Sequence, residues 1–135
     1  MNTTDLKIQQ SSDAELERVT GGVSPDPAPR SFAAIAARAQ QELGKPYAWG
    51  AVGPSEYDAS GLVSYCLTGM HMRIGTEQTF MGWPRVSDPQ PGDVCVSSSH
   101  CGIYMGPGSM IHAPCMGASV SYGGIQSGMI IVRMP

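Results

Sequence analysis

The chain has 135 residues, a formal net charge of −3, and no apolar run long enough to span a membrane. That charge gives no reason to expect nucleic acid or an anionic membrane as partner, and the length fits one domain with a tail. Seventeen glycines and eleven prolines favour a loop-rich α+β domain over a helical bundle.

Residues 1–22 hold four acidic and two basic side chains, so the remainder carries a net charge near −1. This stretch lacks the apolar core of a signal peptide and reads as a short amphipathic helix with Leu6, Ile8, Leu16 and Val19 as sparse apolar positions. Residues 23–30, VSPDPAPR, form a Pro-rich linker that separates it from a domain at 31–135. Ser31 is placed to cap a helix through Leu43, with Phe32, Ile35, Ala36, Ala39 and Leu43 on the buried side.

Gly44 ends that helix and Pro46 forbids its continuation. The stretch GKPYAWGAVGPSEYDASGLVSYC then runs through an extended piece and a tight turn into a second helix. Leu62, Val63, Cys66 and Leu67 give that helix its buried face. A helix N-terminus favours a thiolate or an oxyanion, and the residues there are Asp58, Ala59 and Ser60. Cys66 cannot act in place of residue 59: seven residues on, the helical rise puts it about 10 Å away.

Residues 68–89 show no clean periodicity. They read as an irregular segment, with His71 an exposed loop residue and Phe80, Met81 and Trp83 mainly filling core. Strands are expected at Val94–Val96, His100–Met105 and Ser109–Ala113. Val120–Tyr122 and Met129–Met134 supply the remaining edge, making five or six strands. His100 and His112 fall on neighbouring strands, where one histidine can serve as base and the other as its orienter. The rival use of two histidines, a zinc site, lacks a third ligand at a recognisable spacing. The four cysteines, Cys66, Cys95, Cys101 and Cys115, admit three pairings into two disulfides, or are reduced core residues.

PYAWGAVGPSEYDASGLVSYC resembles the PYxWGGxxPxxxDCSGLV signature of the NlpC/p60 family of bacterial cell-wall cysteine peptidases. PGDV, HCGIYMG and MIHAP resemble its later blocks in the same order, and Thr76, Glu77 and Gln78 match a weaker segment between them. The resemblance covers residues 32–135. It implies a papain-like α+β fold, an antiparallel sheet of five or six strands with the nucleophile helix packed against it. It further implies a Cys-His-His endopeptidase acting on peptidoglycan stem peptides, with position 59 the nucleophile, His100 the base and His112 its orienter. Tyr47 would assist an oxyanion or a substrate carbonyl, Asp58 and Ser60 would bind a substrate amine, and Trp49 would pack; Asp58 reads equally as the N-cap of the second helix, or as both at once. No metal or organic cofactor is implied.

Two positions depart from the signature. Ala51 replaces a common glycine, and Ala59 replaces the cysteine, which removes the attacking atom. An engineered inactivation and a natural pseudoenzyme both account for Ala59; the match at every other catalytic position favours the first. Permuted acyltransferases of the superfamily place histidine before cysteine, the reverse of the order here. Separately, SSDAELERVTGG resembles the double-glycine leader of bacteriocin precursors. That implies cleavage after Gly22, secretion through a peptidase-containing ABC transporter, and an antibacterial role.

Overall fold

The structure, a computed structural model, describes residues 31–135; the expected leader and linker lie outside them. Helix α1 spans Phe32–Gln41, and the Ser31 side chain accepts a hydrogen bond from the Ala34 N–H at its start. It buries Ile35 and Ala39 as expected, but Leu43 lies beyond the helix and is exposed. The chain turns at Glu42–Gly44, where Gly44 takes a φ of 92°.

Helix α2, Ala59–Thr68, carries the core. Asp58 caps its N-terminus through a bond from the Gly61 N–H, and Gly69 in the left-handed conformation ends it. Leu62, Val63, Cys66 and Leu67 are all essentially inaccessible to solvent. Gly61 is required by the close passage of the preceding loop: a Cβ there would run into the carbonyl oxygen of Ala51.

Residues 77–81 form a third short helix, α3 (Glu77–Met81), within the segment whose sequence shows no clean periodicity. A capping box between Thr76 and Thr79 stabilises it locally. Phe80 is fully buried with Trp83 against it, ring centroids 4.8 Å apart, whereas Met81 is exposed.

Five strands follow: β1 (Val94–Val96), β2 (Cys101–Gly106), β3 (Ser109–His112), β4 (Ser121–Gly124) and β5 (Ile130–Val132). They form one antiparallel sheet in the order β4-β3-β2-β1-β5. The expectation that the last two strands share an edge is corrected, since they occupy opposite edges. Side-chain alternation splits the sheet between two cores. Val94, Val96, Cys101, Ile103 and Ile111 join the helices in the main core, while Cys95, Tyr104 and Met110 form a second cluster. Crossing four strand spacings takes about 19 Å, within reach of the short link from β4 to β5. Ile125 and Met129 of that link pack on the second cluster. The four cysteines are free thiols, three buried and Cys115 exposed.

Candidate active site

A cleft of about 440 Å³ opens at the N-terminus of α2, lined by Tyr47, Trp49, Asp58, Ala59, Ser60 and His100 among others. Ala59 is the first residue of the helix, so its N–H has no acceptor within α2. Cys66 is fully buried, and burial pushes its thiol pKa far up. It supplies no alternative nucleophile.

His100 sits at the end of the β1–β2 hairpin, whose turn closes through a bond from the Ser97 N–H to the His100 carbonyl. His112 ends β3. The β2–β3 register pairs Ile103 with Ile111, which puts Gly102 opposite His112. Gly102 has no side chain, so His100, two residues earlier on the same face, reaches diagonally to His112. The result is a 2.7 Å contact between His100 Nε2 and His112 Nδ1, with the rings edge to face. Gly123 on β4 closes the far side: a Cβ there would strike the His112 ring at Nε2.

Both imidazoles have pKa values below the ordinary histidine value. Burial is the main cause in each; the charge of His100 adds to it at His112, and Glu77 partly opposes it at His100. Neutral rings make a base available at neutral pH. Because His100 Nε2 is committed to His112, Nδ1 is the nitrogen left to receive a proton from a group in the cleft.

Tyr47 lines the cleft, and its hydroxyl pKa is pushed up by burial, then by the carboxylates of Asp58 and Glu77. It keeps its proton and stays a donor. Asp58 is the N-cap of α2. Its Oδ1 accepts from the Gly61 N–H at 2.7 Å and Arg73 Nη1 at 2.9 Å. Its Oδ2 accepts from the Gly50 N–H at 3.0 Å and Arg73 Nη2 at 2.9 Å. Those four bonds fill the acceptor sites of a carboxylate. Ser60 Oγ also accepts from Arg73, at 2.5 Å. The acceptor positions of Asp58 are thus occupied, while the Ser60 hydroxyl keeps its hydrogen to donate.

Arg73 was missed in the sequence, where only an unperiodic MRIGTEQ segment surrounded it. Trp49 is a correction: the expected packing residue is 84% exposed at the cleft wall. His71 is exposed as expected, stacked on Tyr65 with ring centroids 4.5 Å apart and Nδ1 3.0 Å from the Val52 carbonyl. Among the described residues, no group of three or more His, Cys, Asp or Glu is arranged to hold a metal ion.

A helix N-terminus presenting residue 59 to a cleft shared with a hydrogen-bonded histidine pair, on a five-stranded antiparallel sheet, defines a papain-like domain. Residues 44–134 match the NlpC/P60 family, and the chain belongs to that family. It is 38% identical over 99 residues to a probable endopeptidase p60 of Listeria grayi, covering 67% of this chain and 19% of that protein. A probable endopeptidase of Mycobacterium bovis is 37% identical over 105 residues, covering 73% of this chain and 27% of that one. The chain thus spans about a fifth to a quarter of the length of these relatives. Among solved structures, the NlpC/p60 domain of the peptidoglycan hydrolase SagA is 34% identical with a TM-score of 0.64, covering 77% of this chain and 99% of that domain. The peptidoglycan hydrolase RipB of Mycobacterium tuberculosis gives 25% and 0.64, covering 76% of this chain and 63% of that one.

Proposed function

We propose that the domain is a peptidoglycan stem-peptide endopeptidase of Cys-His-His type, held inactive here because Ala59 stands at the nucleophile position. The observation that carries this reading is the His100–His112 contact at a cleft shared with the first residue of α2. With cysteine at 59, the thiol would give its proton to His100 Nδ1, and the thiolate would add to the substrate carbonyl carbon. His112 would hold His100 in place and stabilise its imidazolium. The Ala59 N–H position and the Tyr47 hydroxyl would donate to the oxyanion. His100 would return the proton to the leaving amine, and water would then hydrolyse the thioester with His100 as base.

The bond proposed is the γ-D-glutamyl to diamino-acid amide. Residues 1–22 are proposed as a double-glycine leader read by a peptidase-containing ABC transporter, 23–30 as a linker and 31–135 as the peptidase domain. Export by that route would make the enzyme secreted, and an antibacterial effector.

Restoring the thiol by Ala59→Cys and incubating both forms with defined muropeptides, with products read by mass spectrometry, tests the reading. Cleavage by the cysteine form alone supports it, and cleavage by neither form sinks it. Measurable binding without turnover in both forms would instead favour a wall-peptide-binding pseudoenzyme.

A further inference from the structure

Helix α2 meets a second opening at its other end. Leu67 lies in its last turn, about 12 Å along the helical rise from Ala59. There it lines a groove of about 140 Å³ with Phe32, Ile35, Gly92, Arg133 and Met134. Ile35 and Leu67 are buried, whereas Phe32, Arg133 and Met134 are half-buried, so apolar surface is left open between α1 and the segment after β5. The described chain begins at this groove. Phe32 is the first residue of α1 and part of the lining. Its backbone is held against Gly92, where a Cβ would come within 2.8 Å of the Phe32 carbonyl oxygen. The Arg133 guanidinium lies over the Phe32 ring, 4.6 Å from its centroid. Asp93 takes its Nε and Nη2, and Nη1 donates to no described residue. The groove thus offers apolar surface and one hydrogen-bond donor.

Residues 23–30, VSPDPAPR, run directly into Ser31 and Phe32. Pro25, Pro27 and Pro29 carry no N–H, so this stretch brings ring surface and carbonyl acceptors but few donors. That is the complement of the groove. Proline also fixes the backbone in advance, which lowers the entropy lost when such a stretch docks against an aromatic ring. Attachment at Ser31 makes the encounter intramolecular, at an effective concentration no separate peptide has. We propose that residues 23–30 are a strap seated in this groove, with proline rings against Phe32 and Met134 and a backbone carbonyl accepting from Arg133 Nη1. The rival seat for a tethered segment is the cleft, which lies at the opposite end of α2. The strap is independent of the reaction proposed at residue 59.

The experiment is NMR of the isotope-labelled full chain beside a full chain carrying Pro25→Ser, Pro27→Ser and Pro29→Ser, changes that lie outside the described fold. Nuclear Overhauser contacts should join the proline rings to the Phe32 ring and the Met134 methyl group. The triple variant should lose them, with shift changes confined to the groove. The Ile35 and Arg133 amides, bonded to the Ser31 and Pro84 carbonyls, should exchange about threefold faster or more in the variant. Absence of these contacts in the unchanged chain overturns the proposal, as does equal exchange in the two chains. Contacts from residues 23–30 to Tyr47 or Trp49 put the segment in the cleft and also overturn it. A mixture of labelled and unlabelled chains completes the test. Contacts within one copy support the strap, and contacts found only between copies overturn it in favour of exchange between molecules.

Discussion

His100 Nε2 lies 2.7 Å from His112 Nδ1, and this contact fixes the roles of the two rings. If His100 is to accept a proton at Nδ1, its Nε2 must carry hydrogen and donate it to His112. His112 is then the acceptor at Nδ1 and carries its own proton at Nε2. The pair is thereby asymmetric: one ring faces the cleft, and the other is enclosed by Gly102 and Gly123.

That asymmetry predicts unequal costs in the Ala59→Cys protein. His100→Ala should lower kcat/KM about 10³-fold or more, since the base itself is gone. His112→Ala should cost less, about 10–10²-fold, because the base survives but is poorly held. Steady-state hydrolysis of a defined muropeptide measures both. Equal losses would show that the two rings act as one unit.

The same pair sets a pH dependence of folding. Both pKa values are lowered in the folded protein, mainly by burial, whereas the unfolded chain takes up protons near pH 6.5. Between those values the unfolded state binds more protons, so stability rises with pH. The contribution is present in full above about pH 6.5 and is lost as pH falls through that value toward the folded ones. Urea unfolding at pH 7.5 and 5.5 should therefore show a drop on acidification. The drop should shrink in the double variant His100→Gln, His112→Gln; an unchanged drop would assign it to carboxylates instead.

Gly123 supplies a third test, because its backbone is ordinary and only space is at issue. A Cβ at this position meets the His112 ring at Nε2, on the side away from His100. Gly123→Ala should push the ring off its seat, costing about 1–3 kcal/mol of stability from overpacking. In the Ala59→Cys protein it should also lower kcat while leaving KM nearly unchanged, since His112 touches no substrate. Gly124→Ala is the control, with only the Gly108 carbonyl near, at 3.9 Å.

How much of this was visible in the chain follows from how local each cause is. The helix breaks at Gly44 and Pro46 and the Asp58 cap are settled within a few residues, and all were legible. The β1–β3 meander was legible in the strands expected at Val94–Val96, His100–Met105 and Ser109–Ala113. The strand order was not, because β4 and β5 sit on opposite edges for reasons of cross-sheet packing by Ile125 and Met129. Helix α3 is only five residues long, too short for a period to show. Trp49 looked like core because aromatics usually are; that it faces the cleft depends on tertiary placement alone. Arg73 stands fifteen residues from Asp58, and no local pattern announces their pairing.

That pairing gives the last prediction. Arg73 donates from Nη1 and Nη2 to the two oxygens of Asp58, and Nη1 also reaches Ser60. Asp58 simultaneously caps α2 and holds the Gly50 N–H, so one carboxylate joins the helix start, the Trp49–Gly50 loop and the segment leading to α3. Removing the guanidinium leaves a mostly buried carboxylate with half its donors, which should destabilise the fold by about 1–3 kcal/mol. Arg73→Lys should restore only part of the loss, because an ammonium cannot span both oxygens in the planar geometry of arginine. Urea unfolding of Arg73→Ala, Arg73→Lys and Asp58→Asn, together with Arg73→Ala/Asp58→Asn, completes a double-mutant cycle. A coupling energy near zero would show that the capping bond, and not the ion pair, is what Asp58 contributes.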